Sequence, residues 1–273
     1  MLKQRILTAL VLAPLVLGGV FLLPLEQFHW FVIPVIALAG WEWANLSDLR
    51  QPLQRVGFGL LVAALLFGLL HWAPGPVLAL GVLFWCLALY WVVRYPASGG
   101  QWQSVPARVL VGLLVLLPAG VALMVLKGQP ASNQLLLLLL LLVWGADIGA
   151  YFAGRRWGTT KLAPRVSPGK TRAGFYGGLG CSALIALAAA LVWQLSLQQT
   201  LLLLLISLVT ALASVLGDLA ESMFKRHRGI KDSSALLPGH GGILDRIDSL
   251  TAAAPLYALG TTLSGLGSLL ATH

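Results

Sequence analysis

The sequence predicts an all-α, polytopic integral membrane protein of about nine transmembrane helices with its N-terminus in the cytoplasm. Three observations carry that expectation. The chain is 58% hydrophobic and only 10% charged, where soluble domains carry about 25% charged residues, and its mean hydropathy is +0.87. Apolar stretches long enough to cross a bilayer recur along its whole length. The basic residues fall almost entirely into alternate connections between those stretches.

Spans can be drawn at residues 6 to 24, 28 to 46, 56 to 73, 76 to 93, 106 to 126, 134 to 154, 174 to 193, 200 to 223 and 243 to 270. Lys3 and Arg5 ahead of the first run resemble a secretory leader, but no small-x-small cleavage site precedes Phe21 and Leu23, so the run is read as an uncleaved span. Breakers mark the connections: Pro52, Ala73-Pro74-Gly75-Pro76, Pro96 with Gly99-Gly100, and Gly128-Gln129-Pro130. Trp30, Trp43, Trp72, Trp102 and Trp193 lie near span ends, where amphipathic rings favour the headgroup region. Glu42 and Asp48, beside Trp41, Trp43 and Asn45, are read as interfacial in the same way. The leucine run 135 to 142 is read as lipid-facing, and no internal repeat is found. The organisation expected is a spans 1–5 unit, residues 1–130, and a catalytic unit of spans 6–9 with two basic loops, residues 131–273, within one integrated membrane domain.

Alternating the loops across the bilayer puts seventeen of the eighteen Lys and Arg on one side, with Lys127 alone opposite. That asymmetry fixes the expected parity and makes the basic side cytoplasmic. It also accounts for the net charge of +9 through topology and anionic headgroups, so nucleic acid is not an expected partner. Cys86 and Cys181 both lie in apolar runs, which argues against a disulfide framework or a thiolate metal site.

Chemistry is concentrated late in the chain. Residues 218 to 248 hold five of the nine acidic residues and five of the eighteen basic ones. Asp147 lies within the sixth span, where an ionised carboxylate costs roughly 2.5 to 3.5 kcal/mol unless it meets water, a cation or a partner. Its flanking Gly145 and Gly149 suggest close approach of a helix or a ligand. Site support and a helix-helix hydrogen bond are both open to it. Asp218 and Glu221, like Asp245 and Asp248, are three residues apart and so share a helical face. Carboxylates gathered from three helix ends, without Cys, favour a hard cation such as Mg²⁺.

Basic loops surround this acidic centre. One supplies Arg155, Arg156, Lys161, Arg165, Lys170 and Arg172, and the other Lys225, Arg226, Arg228 and Lys231. With Mg²⁺ they suit a polyphosphate. Gly239, Gly241 and Gly242 let backbone amides approach an anion just before a helix N-terminus, and His240 between them is an acid, a phosphate donor or a turn residue. Gly169-Lys170-Thr171 imitates the end of a Walker A loop, but the Gly required five positions earlier is Pro164 and no βα unit is expected around it.

Ser222-x-Phe224-Lys225-Arg226, then Lys231-Asp232-x-Ser234, then Leu237-Pro238-x-His240-Gly241-Gly242-Ile243-x-Asp245-Arg246-Ile247-Asp248 resembles the signature of the phosphatidate cytidylyltransferases, or CDP-diglyceride synthases. A second block, Trp144 to Asp147 through Gly154-Arg155, Lys161 to Pro164 and Ser167 to Thr171, is similar to the same family. The resemblance is strong over about residues 140 to 250 and rests on hydropathy alone before that. Where many relatives carry Glu or Gln, this chain has Ala173, which therefore receives no catalytic part.

The resemblance implies transfer of CMP from CTP to phosphatidic acid, giving CDP-diacylglycerol and pyrophosphate with Mg²⁺, at the cytoplasmic side of a bacterial inner membrane. It implies Asp218, Asp245 and Asp248 as metal ligands, with Asp147 supporting or joining them, and Lys225 and Arg226 as catalytic cations. Lys161, Ser167, Lys170, Thr171, Lys231, His240, Gly241, Gly242 and Arg246 would bind the phosphates of the two substrates. A K⁺ ion as second cation is compatible with so many carboxylates, membrane lipids are expected partners, and a homodimer follows from the family alone. Two other readings remain: a cation-coupled transporter, since intramembrane carboxylates also mark ion paths, and a CTP-dependent lipid-alcohol kinase.

Overall fold

In the computed structural model, which describes residues 2–271, the chain forms nine long helices and one short one among the described residues. They are α1 (Leu2–Phe21), α2 (Leu25–Leu46), α3 (Pro52–Leu69), α4 (Pro74–Arg94), α5 (Val105–Gly128), α6 (Ser132–Trp157), α7 (Arg172–Val192), α8 (Leu197–Arg228), α9 (Leu244–Ser264) and α10 (Leu266–Leu270). Each of the nine drawn spans corresponds to one long helix. The ninth is shorter than expected, because Gly265 at φ 65° ends α9 in the left-handed conformation that glycine adopts without penalty. Six helices, α3 to α8, are long and apolar enough to cross a membrane, which makes this a multi-pass membrane protein. The side chains of Lys3 and Arg5 lie outside the described residues.

Two short strands depart from the all-α expectation. β1 (Lys161–Ala163) and β2 (Ser167–Thr171) form an antiparallel hairpin in the basic connection between α6 and α7. Pro164 and Pro168 hide it from a strand pattern. β2 runs directly into α7, whose N-terminus is capped by Thr171 Oγ1 accepting from Gly174 N at 3.1 Å. A strand-to-helix junction therefore exists where none was expected, yet Pro164 still stands in place of the Walker glycine and the sheet has only these two strands among the described residues.

Helix α5 is central, burying residues from Arg108 to Lys127 against α2, α4 and α9. Both of its charged ends bond internally, although Arg108 Nε is buried without a partner. Arg108 donates to Leu46 O at 3.1 Å, and Lys127 donates to Val20 O at 2.7 Å and Asn133 Oδ1 at 3.2 Å. Buried apolar residues of both halves of the chain join one continuous core from Val20 to Leu270.

Three interfacial or lipid-facing expectations are corrected. Trp30 and Trp72 are exposed, as a headgroup belt requires, but Trp43 and Trp102 are buried. Both pack on Phe224, with ring centroids 5.2 and 4.7 Å away, and so pin the end of α8 to α2 and to the 3-10 turn Ala97–Gln101. Six of the eight leucines from Leu135 to Leu142 are buried, because α6 packs on α5, α7 and α8 rather than facing lipid all round. Glu42 is fully buried and is taken up below. Asp48 pairs with Arg50 at 2.8 Å and Arg228 at 3.3 Å; the hydrogen bond from Arg50 holds its carboxyl below the usual range.

Candidate active site

Helices α6 and α7 approach closely because glycines face each other: a Cβ on Gly149 would lie 2.6 Å from Gly177 O, and one on Gly178 would lie 2.8 Å from Ala146 O. The close approach that Gly145 and Gly149 implied is therefore made by a helix, α7. Above this seam the hairpin closes over a cavity of about 470 Å³ into which Asp147, Arg155, Lys161, Lys170 and Thr171 bring charged and polar groups among apolar ones such as Leu162 and Val215. It is more polar than the cavity beside it. Asp147 is solvent-accessible through it, which explains a carboxylate at this depth.

Lys170 reaches from the cavity to α8, its Nζ 2.7 Å from Asp218 Oδ2. Ser222, one turn further, donates to Asp218 Oδ1 at 3.2 Å. Asp147 feels the charges of Lys170, Asp218 and Arg246, and Asp248 those of Asp218, Lys225 and Lys170. α9 brings Asp248 to this place by packing tightly on α8: a Cβ on Gly217 would collide with Asp248 O. Asp147, Asp218 and Asp248 thus form one electrostatic neighbourhood drawn from α6, α8 and α9.

Asp245 joins that neighbourhood through Lys225, which also acts on Asp248. Its Oδ1 takes Lys225 Nζ at 2.8 Å, and its Oδ2 takes Gly242 N at 2.7 Å, Ser233 N at 2.9 Å and Ser233 Oγ at 3.0 Å. Both oxygens are committed to organising the loop between α8 and α9. Lys225 also lies 3.1 Å from Glu221 Oε1, whose carboxylate is buried and whose Oε2 has no hydrogen-bond partner.

The loop itself turns at Gly239 and Gly241, with φ 76° and 82°, and closes on a bridge between Leu237 and Gly241. A side chain at Gly241 would strike Asp245 Oδ2 at 2.7 Å, and one at Gly242 would collide with Ser233 Oγ and Glu42 Oε1. Gly242 is therefore needed for close packing of protein groups, and its amide, expected to approach an anion, is taken by Asp245. His240 presents a buried Nδ1 without a hydrogen-bond partner. Arg226 donates to Val166 O at 3.4 Å, tying α8 to the hairpin. Ser167 sits in β2, paired with Ala163. Lys231, Asp232 and Arg246 are exposed, and neither Lys231 nor Asp232 lines the polar cavity.

A second cavity of about 620 Å³ lies beside the first and is almost wholly apolar. Trp85 and Leu89 of α4, Leu212 and Leu216 of α8, and residues 162 to 166 of the hairpin form its walls. Leu162, Phe175 and Val215 line both cavities, so they share a boundary.

Sequence reasoning missed Glu42. Its carboxylate accepts from Ser234 Oγ at 2.6 Å, Ile243 N at 3.0 Å, Leu244 N at 2.6 Å and Ser233 Oγ at 3.3 Å. It caps α9 from a helix some 200 positions earlier. An acidic residue before a helix N-terminus would have revealed a local cap; a carboxylate arriving from α2 leaves no such trace.

Among the described residues no three His, Cys, Asp or Glu side chains are grouped to hold a metal ion. Mg²⁺ asks for less than such a group, since it commonly takes one or two carboxylates and completes its shell with water and substrate phosphates. Asp218 and Asp248, each within electrostatic reach of the other and with Asp147 in reach of Asp218, would be such a donor pair.

A sequence profile of the Cytidylyltransferase family matches residues 3–263. The chain is 51% identical over 270 residues to the phosphatidate cytidylyltransferase of Pseudomonas aeruginosa, covering 98% of this chain and 100% of that protein. It is 40% identical over 286 residues to that of Haemophilus influenzae, covering 94% and 98%, and 38% identical over 275 residues to that of Brucella suis, covering 94% and 92%. These matches reach through the N-terminal half that hydropathy alone had described, and with the two shared-boundary cavities they lead to one conclusion: the chain belongs to the cytidylyltransferase family.

Proposed function

We propose that the protein is a phosphatidate cytidylyltransferase, forming CDP-diacylglycerol and pyrophosphate from CTP and phosphatidic acid. The observation that carries this from the geometry is the shared boundary between the two cavities. Acyl chains occupy the apolar groove between α4 and α8, and the lipid phosphate meets CTP in the polar cavity, with Leu162, Phe175 and Val215 at the boundary between tails and head.

One phosphate oxygen of the lipid attacks the α-phosphorus of CTP. A new P–O bond forms, the bond between the α-phosphorus and the bridging oxygen breaks, and pyrophosphate leaves with the electron pair. The attacking oxygen is already anionic, so the step needs alignment and charge neutralisation rather than a protein base. Lys161 and Lys170 hold phosphates from the hairpin. Asp218 and Asp248 would hold Mg²⁺, with Asp147 supporting them, and the ion would neutralise phosphoryl charge; a K⁺ ion is a candidate for a second place. Asp245 serves the site through Lys225 and Gly242.

CTP labelled at the α-phosphate is expected to leave its label in lipid, while γ-label appears only in pyrophosphate. Lipid labelled from the γ-position would favour a kinase, and ion flux into liposomes without CTP turnover a transporter.

The same reading takes nine spans across the bacterial inner membrane, with the polar cavity cytoplasmic. It is checked in a background lacking Cys86 and Cys181. A membrane-impermeant maleimide applied to spheroplasts is expected to label Gln198→Cys and to spare Gly100→Cys, which becomes reactive only after lysis. Both positions are exposed at helix connections, so the reverse pattern would overturn the assigned orientation.

A further inference from the structure

We propose that Glu42 is a positioning residue for nucleotidyl transfer, acting through Ser233 and Asp245 on Lys225 and Asp248. The proposal rests on the cytidylyltransferase reading and adds to it a functional part for the N-terminal half. Glu42 lies within α2, fully buried, far in sequence from every residue the signature contains. Oε1 accepts from Ile243 N and Ser234 Oγ, and Oε2 accepts from Leu244 N with Ser233 Oγ 3.3 Å away. The two amides are those at the start of α9, where the helix dipole adds to the attraction for a negative charge.

Ser233 transmits the arrangement onward. Its single hydroxyl proton is shared between Asp245 Oδ2 at 3.0 Å and Glu42 Oε2 at 3.3 Å, the nearer taking the larger part, and its own N–H donates to Asp245 Oδ2 at 2.9 Å. Asp245 in turn holds Lys225 Nζ and Gly242 N. Asp248 follows one turn later on the helix that Glu42 caps. Anchoring α9 at its first turn therefore sets where Asp248 stands opposite Asp218, and fixing Asp245 sets where Lys225 points.

Both carboxylate oxygens are needed. Glutamine has the same shape, but its amide NH₂ would face one of the two backbone N–H groups, and a backbone donor cannot reverse its role. A buried acid with only a packing or interfacial duty would tolerate that change. The phosphate-holding lysines Lys161 and Lys170 sit on the other side of the site and do not touch Glu42, so displacement of α9 is felt in alignment for transfer more than in CTP binding.

The test measures kcat and KM for CTP, with phosphatidic acid in detergent and Mg²⁺, for wild type, Glu42→Gln, Ser233→Ala and the double variant, each with its melting temperature. Glu42→Gln is expected to lower kcat about tenfold to a hundredfold with KM for CTP within about threefold. Ser233→Ala leaves both backbone caps in place and is expected to lower kcat several-fold at an unchanged melting temperature. The double variant is expected to match Glu42→Gln within about twofold, because both changes break one linkage. Wild-type kcat in Glu42→Gln, or factors that multiply in the double variant, would overturn the proposal. Should Glu42→Gln not fold, Ser233→Ala decides: reduced kcat in folded protein supports the linkage, and wild-type kcat sinks it. Wild-type protein that transfers no CMP to lipid overturns the reading together with this proposal, whereas active wild type with unaffected variants overturns the proposal alone.

Discussion

Asp218→Asn is expected to lower pyrophosphate release from CTP and phosphatidic acid by about a thousandfold while leaving the melting temperature almost unchanged. Asparagine keeps the shape of the side chain and removes its charge. Asp218 is the residue on which the two parts of the site converge: Lys170 of the hairpin is 2.7 Å from it, and its charge acts on both Asp147 and Asp248. Without it, the donor pair offered to Mg²⁺ is broken and Lys170 loses its anchor. The stability side of the prediction follows from exposure. The Lys170–Asp218 pair is about a quarter exposed on each side chain, so its loss costs about 1 kcal/mol or less. Removing the carboxylate that repels both Asp147 and Asp248 offsets part of that. A rate within tenfold of wild type would remove Asp218 from the catalytic centre, and a collapse in melting temperature would make its role structural.

Much of the fold was legible because membrane insertion writes itself into composition. Six of the nine long helices are apolar over a span length, and the drawn spans find all nine long helices among the described residues. What hydropathy cannot distinguish is lipid from protein interior, since both are equally apolar to a side chain. That is why the leucine run of α6 and the rings of Trp43 and Trp102 were placed outside when they are inside. The hairpin escaped for another reason: its strands are three and five residues long, with Pro164 just after the first and Pro168 inside the second, too short for any period to emerge.

The acidic centre was legible as a set of costly charges, less so as a division of labour. Asp218 and Asp245 look alike in sequence, each three residues before a second acid. Only coordinates separate them. Asp218 gives its oxygens to Ser222 and to Lys170, which lines the cavity, whereas Asp245 gives both of its own to Ser233, Gly242 and Lys225. Glu42 was illegible because its partners are supplied by backbone amides, which every residue carries and no sequence pattern marks.

Gly177→Val is expected to separate α6 from α7 and to remove both stability and activity, in contrast to Gly180→Ala on the same helix. A Cβ at Gly177 collides with Ala153 Cβ and would lie 2.8 Å from Gly149 O. The obstacle includes backbone, which no rotamer change can move aside. Overpacking of this kind costs about 1 to 3 kcal/mol where side chains can yield, and more where they cannot. Gly180 has nothing within 4 Å of its Cβ position, so alanine there removes a flexible helical glycine and is expected to leave the melting temperature unchanged or slightly raised. The functional consequence is specific to this seam. α6 carries Asp147 and α7 begins where β2 delivers Lys170 and Thr171, so a wedge between the helices moves the acid on one wall of the cavity away from the lysine on the other. Measured on protein purified in detergent, Gly177→Val should show a depressed melting temperature and at least a tenfold loss of CMP transfer below that melting temperature. Lost stability with full activity would mean that the seam holds the fold without holding the cavity, and parity between the two glycine variants would mean that α6 and α7 are not packed this closely in the membrane.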